Sequence, residues 1–228
     1  MKFLPFVASA IALTATANAH AGSATLTNDR AAFEASLVGP FTVETFGDSY
    51  SFPISTGVLN STTELVVSNG AAIHAGSIKP GVTYSTPIGD GFFFNIDAGG
   101  GFTGGFLDGF YGGLSDRKLT VKFDQPVTAF GFDTNLLAGV QQVTLKFTDN
   151  TTQTFDASAG SGLTFFGFTG SAIDSVLIGN PANQGTFAFA VDNVTFGKTS
   201  AVPEPESYAM VIGGLLVAGT LLRRRRQA

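Results

Sequence analysis

The sequence predicts an all-β protein: an antiparallel two-sheet sandwich with one short N-terminal helix. Only 13% of its 228 residues are charged, and it contains 29 Gly and 23 Phe. This composition is unlike that of a disordered chain, which is poor in aromatic residues and rich in charge. From residue 41 onward, about eleven short segments alternate apolar and polar residues between Gly, Asn, Asp or Pro turns. No helix-length crossover separates them, which favours antiparallel pairing within one domain, residues 22–200.

The helix is predicted at the start of this domain, in "TNDRAAFEASLV". Thr27, Asn28 or Asp29 can cap its N-terminus. Phe33 and Leu37 lie one turn apart, so they share the face that would pack on the sheet.

Two local features are predicted within the strands. The segment "KFTDNTTQTF" is typical of a hairpin that turns at Asp149 and Asn150. In "TFAFAVDNVTF" the apolar residues occupy odd positions as far as Val191 and even positions from Val194. A shift of one residue in the alternation indicates a β-bulge, which here falls at Asp192-Asn193.

The N-terminus, residues 1–21, is predicted to be a signal peptide. A basic residue, Lys2, precedes an apolar run over residues 3–13, and small residues follow. Cleavage is expected after Ala19 or Ala21, by signal peptidase after passage through the Sec translocon. The mature chain would lie outside the cytoplasm without a cysteine to form disulfides.

The C-terminus, residues 201–228, combines an extended strip with an apolar run. Residues 208–222 carry no charge and would span about 22 Å as a helix, short of the roughly 30 Å hydrocarbon core, so the span is marginal. The positive-inside rule would hold the arginine cluster on the cytoplasmic side and leave the domain outside. That cluster comprises Arg223, Arg224, Arg225 and Arg226.

These C-terminal elements resemble a known sorting signal. Val202, Pro203, Glu204 and Pro205, followed by the apolar run and the arginine cluster, are similar to the PEP-CTERM signal of Gram-negative bacteria. The resemblance implies recognition by exosortase, a membrane enzyme that cuts near the Pro-Glu-Pro. It also implies a host that secretes exopolysaccharide, and delivery from the periplasm to the cell surface or matrix.

A looser resemblance covers part of the domain. The segments 126–135, 165–170 and 189–197 are similar to segments in the exported bodies of PEP-CTERM proteins. This resemblance implies a jelly-roll, lectin-like form of the sandwich without a defined activity.

Composition argues against several chemistries. Between His20 and Val202 there are 7 Lys and Arg against 15 Asp and Glu, so the domain offers no basic surface for nucleic acid. The absence of cysteine excludes thiol nucleophiles and zinc-thiolate sites. His74 is the one histidine beyond the cleavage region, which disfavours a Ser-His-Asp triad. A pair of carboxylates for glycoside hydrolysis is possible among the acids but is not marked by any distinctive strand.

The Gly-rich segment over residues 99–113 carries a candidate ligand site. It lacks the Gly-Lys-Ser/Thr of a phosphate-binding loop. Its aromatic residues could form a surface on which sugar rings stack; the alternative is that these side chains pack into the core. The candidates are Phe102, Phe106, Phe110 and Tyr111.

Calcium is a second candidate ligand, because oxygen ligands suffice for it and extracellular modules bind it weakly. The candidate ligands are Asp192 and Asn193 at the predicted bulge, with Asp133 or Asp97 as partners. The alternative is that Asp and Asn at a bulge bond to nearby amides. No other cofactor is expected.

The sequence therefore predicts an exported, non-enzymatic surface or matrix protein that binds exopolysaccharide or contributes passively to biofilm. The alternative is an extracellular hydrolase of matrix polysaccharide.

Overall fold

A computed structural model describes residues 21–47, 52–54, 58–66, 72–86, 94–98, 101–102, 105–109, 118–135, 139–160, 162–179, 189–200 and 214–215. The predicted signal peptide, apart from Ala21, lies outside these residues. So do the sorting motif, the arginine cluster, Phe110 and Tyr111.

The described residues form one helix and fourteen strands, and all strand pairs are antiparallel. The helix, α1, covers Arg30–Ser36. The strands are β1 Ala24–Thr27, β2 Leu37–Glu44, β3 Phe52–Ile54, β4 Val58–Asn60, β5 Leu65–Val66, β6 Ala72–Ile73, β7 Val82–Ser85, β8 Phe94–Ala98, β9 Gly105–Gly109, β10 Lys118–Thr134, β11 Gln142–Phe147, β12 Thr152–Asp156, β13 Thr164–Gly179 and β14 Ala190–Thr199.

Hydrogen bonds join twelve of the strands into one sheet. Its main path runs β12-β11-β13-β10-β14-β9-β8-β3; β1 pairs with β13, β2 with β14, β7 with β10 and β4 with β7. The strands β5 and β6 form a separate pair. The predicted all-β, antiparallel class with one short helix is confirmed, but the two predicted layers share strands and are continuous.

The continuity arises from β10 and β13, which are 17 and 16 residues long. Each unites two segments that the sequence pattern predicts as separate strands, 118–124 and 127–135 in β10 and 163–170 and 174–180 in β13. The register between them shifts between Lys122 and Val127 and again before Ala129, and Pro126, which cannot donate to a ladder, lies in this interruption. Bulges bend strands and let them pass from one layer to the next, so each long strand contributes to both halves of the sheet.

The core lies between these halves. On β10, Val121 comes from the first half and Phe130 from the second, and both belong to one buried cluster. The ring of Phe123 lies 5.8 Å from that of Phe130 and 5.5 Å from that of Phe196. Packing across the bend therefore holds the halves together, with about 25 cal/mol of stabilisation for each Å² of apolar surface buried.

The helix α1 lies within the segment predicted to be helical, but it ends at Ser36, and Leu37 begins β2 instead of completing the helix face. Asp29 is its N-cap and accepts from the Ala32 N–H at 3.0 Å. Phe33 is buried and packs against Phe165, with ring centroids 5.3 Å apart. This small cluster lies on the opposite side of β10 and β13 from the main core and fixes the helix to the sheet.

Within the described residues, no helix is long and apolar enough to cross a membrane. Of the predicted span, residues 208–222, only 214 and 215 are described, and they are helical.

Candidate functional site

A polar surface, here called the outer face, runs across six neighbouring strands. It consists of two rows of side chains on β12, β11, β13, β10, β7 and β4 that point away from the core, and none of these twelve side chains is buried. Strands are about 4.8 Å apart, so the surface is roughly 24 Å wide. One row comprises Thr154, Thr144, Leu177, Thr120, Ser85 and Val58; the next comprises Thr152, Lys146, Ser175, Lys122, Thr83 and Asn60.

The outer face exists because these strands alternate with period two. In β11, Val143 and Leu145 are fully buried, whereas Thr144 and Lys146 between and beyond them remain accessible. The same alternation in the neighbouring strands aligns hydroxyl groups across the sheet. The Oγ1 atoms of Thr144 and Thr154, for example, lie 2.9 Å apart.

The charge of the outer face differs from that of the domain as a whole. Lys122 forms an ion pair with Asp174, which lies beside the face. The hydrogen bond from Lys122 lowers the pKa of Asp174, and the nearby charge of Lys146 lowers it further. Lys146 and Lys122 against Asp174 leave one positive charge, whereas the domain is strongly acidic. The outer face therefore carries no net negative charge, unlike the domain as a whole.

A second polar feature, here called the bulge cluster, links the start of α1 to β10 and β14 and comprises Arg30, Asp133, Asp192 and Asn193. Its two carboxylates are buried, whereas Arg30 and Asn193 are partly accessible. Asp133 on β10 is the register partner of Asp192 on β14, and the register shifts just before this pair. Asn193 has φ 47°, a left-handed conformation that Asn tolerates well. The bulge predicted at Asp192-Asn193 is therefore confirmed.

The carboxylate oxygen atoms of the bulge cluster contact nitrogen donors of the protein. The Nδ2 atom of Asn193 donates to Asp133 Oδ2 at 2.8 Å and to Asp192 Oδ2 at 3.2 Å, and its backbone N–H donates to Asp192 Oδ1 at 2.6 Å. Arg30 Nη2 lies 2.7 Å from Asp133 Oδ1. The guanidinium also lies 4.3 Å from the ring centre of Phe165, a cation–π contact. The bond from the Asn193 backbone N–H to Asp192 matches the alternative that these side chains bond to nearby backbone amides.

The pKa of Asp192 is raised to about 7, chiefly by burial and then by the negative charges of Asp133 and Glu44, while the Asn193 N–H and Arg30 oppose the rise. Among the residues whose side chains are described, no group of three or more acidic or histidine side chains is arranged to hold a metal ion. The backbone of Asp97 lies on β8, and its side chain is outside the described set.

Glu44 is a third buried carboxylate, at the end of β2. It accepts from the Phe46 N–H at 2.9 Å and the Lys79 N–H at 2.6 Å, and so ties two loops together. Burial, and then the charge of Glu44, raise the pKa of Tyr84 well above its ordinary value. No sequence pattern marks Glu44, because its partners are loop amides brought together only by the fold.

The described members of the predicted stacking surface do not face solvent. Phe102 is 8% exposed and Phe106 is 1% exposed, and their rings stack with centroids 4.4 Å apart. Phe106 lies in β9, which pairs with β8, so this part of the Gly-rich segment is a strand pair. For these two residues the alternative, that the aromatic side chains pack into the core, is confirmed.

Neither the histidine nor the buried carboxylates of the described residues form an accessible catalytic pair. His74 Nδ1 lies 3.8 Å from Glu64 Oε1, and both side chains are about two-thirds exposed. Glu44, Asp108, Asp133 and Asp192 are at most 5% exposed. An enclosed carboxylate cannot reach a polymer at the surface without rearrangement of the fold.

Comparison with known proteins yields no family. No family model matches the sequence, and no curated protein matches it. Among solved structures, two variants of CBM29-2, described as family 29 carbohydrate binding modules, align with 73% of this chain and 99% of their own, at 12% identity. The TM-scores are 0.35 for a lysine-to-alanine variant and 0.32 for a tyrosine-to-alanine variant. Similarity at this level identifies neither the family nor the ligand of this chain.

Proposed function

We propose that the chain is an exported, non-enzymatic protein of the cell surface or extracellular matrix that binds exopolysaccharide through its outer face. The observation that carries the binding proposal is the alignment of accessible hydroxyl, amide and ammonium groups on six adjacent strands. Hydroxyl and amide groups both donate and accept hydrogen bonds, and ammonium groups donate them, as recognition of a polyhydroxyl polymer requires.

The mode of binding follows from the side chains available. None of the twelve residues of the outer face is aromatic. Recognition would therefore rest on hydrogen bonds spread along the polymer, each worth about 0.5–1.5 kcal/mol net. A wide face that contacts several sugar units compensates for weak individual contacts. A jelly-roll, lectin-like arrangement belongs to the same proposal.

We also propose where the protein is delivered, from the sequence elements near its N- and C-termini. The N-terminal signal peptide directs export through the Sec translocon and is removed by signal peptidase after Ala19 or Ala21. Exosortase then recognises residues 202–205 and the arginine cluster. It releases the domain from a transient membrane anchor formed by residues 208–222. The support is the order of these elements along the chain.

Binding is tested with the exported protein purified from its host and exopolysaccharide from the same host. We expect saturable co-sedimentation with the polymer and no change in polymer length by size-exclusion chromatography. Absence of binding would overturn exopolysaccharide as the ligand. Shortening of the polymer would favour the alternative function, an extracellular hydrolase of matrix polysaccharide. Recovery of the Arg223–Arg226 peptide on the mature protein by mass spectrometry would overturn exosortase processing.

A further inference from the structure

The chain is held at Gly22 by the hairpin that joins β11 and β12. The Gly22 nitrogen donates to Asp149 Oδ2 at 2.7 Å and to Thr151 Oγ1 at 2.9 Å. The next bonds lead directly into β1, because the Ala24 nitrogen donates to Gln153 Oε1 at 2.8 Å. Gly22 is adjacent to Ala21, one of the two cleavage positions that the sequence allows.

The hairpin presents its acceptors in a fixed arrangement. Asp149 Oδ1 accepts from the Thr151 N–H at 2.9 Å and from the Thr151 hydroxyl at 2.7 Å. These bonds leave Oδ2 directed at Gly22. The hydrogen bonds from the Thr151 side chain and backbone, with a smaller contribution from Gly22, lower the pKa of Asp149. The carboxylate is therefore ionised at neutral pH.

The donor at Gly22 is mismatched to these acceptors while the chain is intact. An amide nitrogen carries one hydrogen, which is here divided between two oxygen atoms. A free N-terminal ammonium carries three hydrogens and a positive charge. It would give each acceptor a hydrogen of its own, and charge-assisted hydrogen bonds are roughly twice as strong as neutral ones.

The position also admits only glycine. A Cβ atom on residue 22 would lie 2.3 Å from Cγ of Phe147 and 2.6 Å from its Cδ2. The nitrogen of residue 22 can thus approach the hairpin closely only because no side chain separates it from the Phe147 ring.

We propose that the bond between Ala21 and Gly22 is the maturation site, and that the new N-terminus docks on Asp149 and Thr151 as an ion pair. Water adds across this peptide bond: Ala21 keeps the carboxylate, and the nitrogen of Gly22 becomes a primary ammonium. The inference rests on the proposed export, and it selects Ala21 over Ala19. Cleavage after Ala19 would leave Gly22 as an amide.

The cleavage position is tested by intact mass and N-terminal sequencing of the protein exported by its native host. The expected first residue is Gly22. A protein that begins at His20 would overturn this inference and leave export intact. A protein that retains Met1 would overturn export itself, so the two failures are distinguishable.

Docking is tested by the rate at which the α-amino group of the mature protein is acetylated at pH 7, read by mass spectrometry. Only the uncharged amine reacts, and a paired carboxylate favours the charged form. In Asp149→Asn we expect acetylation about tenfold faster, the equivalent of one pKa unit. Asp124→Asn, at an exposed acid whose side chain is outside this contact, is the matched control and should react like the wild type. Equal rates in Asp149→Asn and the wild type would overturn docking.

Discussion

Asp133 and Asp192 are buried register partners on adjacent strands, with only one arginine in the bulge cluster to balance them. Burial disfavours the ionised form of Asp192, and the negative charge of Asp133 disfavours it further, whereas the Asn193 N–H and Arg30 favour it. Together these effects raise the pKa of Asp192 to about 7. The fold thus retains a proton on a carboxyl group near neutral pH.

This proton makes stability depend on pH. The pKa of Asp192 is raised from 3.8 to about 7 on folding, so between these values the folded state binds the proton and the unfolded state does not. The stabilisation is fully present below about pH 4 and is lost as pH rises towards 7. In Asp192→Asn this dependence should vanish, and the melting temperature should exceed that of the wild type by a few degrees at pH 8.

Thermal unfolding from pH 4.5 to 8.5, followed by circular dichroism, measures this effect as the difference between variant and wild type. Asp124→Asn changes an exposed acid and should follow the wild type throughout. A difference between Asp192→Asn and the wild type that stays constant over this range would contradict the assignment of the proton.

Arg30 contacts one buried and one accessible carboxylate, which provides an internal control. Its Nη2 lies 2.7 Å from Asp133, which is almost fully buried, and its Nη1 lies 3.2 Å from Glu34, which is 40% exposed. Removing the partner of a buried charge costs about 3–5 kcal/mol, whereas exposed i,i+4 pairs contribute about 0.3–0.5 kcal/mol. Arg30→Gln should therefore lower the free energy of unfolding far more than Glu34→Gln, as measured by urea denaturation. Similar losses in the two variants would show that the buried contact is not stabilising.

Gly131 and Gly167 are register partners that allow Phe33 and Phe165 to lie flat on the sheet. A Cβ atom on Gly167 would lie 2.7 Å from Cδ2 of Phe33 and 2.8 Å from Cε1 of Phe165. Gly167→Ala should displace both rings and destabilise the protein by about 1–3 kcal/mol, the usual cost of overpacking. The matched control is Gly160→Ala, where a Cβ would meet no atom within 4 Å. Differential scanning calorimetry measures both, and equal melting temperatures would contradict this packing.

The features that follow from local sequence are those the structure reproduces. The cap at Asp29, the turn at Asn150, whose φ is 67°, and the bulge at Asn193 each depend on residues close in the chain. The union of two predicted strands into β10 was missed, because Pro126 and its neighbours resemble a turn in isolation. The strand β1 was missed as well, since Ala24–Thr27 lacks clear alternation.

The candidate sites show the same limit. The alternation of apolar and polar residues in β11 distinguishes accessible Thr144 from buried Val143. The sequence does not indicate which strands lie beside β11. Arg30 and Asp133 are remote in the chain and meet only after α1 docks. Contacts of this kind depend on strand order, which a single sequence does not determine.

The most direct test of the account is the affinity of the protein for exopolysaccharide after the outer face loses its central hydroxyls. Valine preserves the branched shape of threonine and its preference for strands. In the double variant Thr120→Val, Thr144→Val we expect binding about tenfold weaker by affinity electrophoresis, from the loss of hydrogen bonds worth about 0.5–1.5 kcal/mol each. The control Thr25→Val changes an exposed threonine on β1 and should bind like the wild type. Undiminished affinity in the double variant, with the fold intact, would contradict the outer face as the binding site.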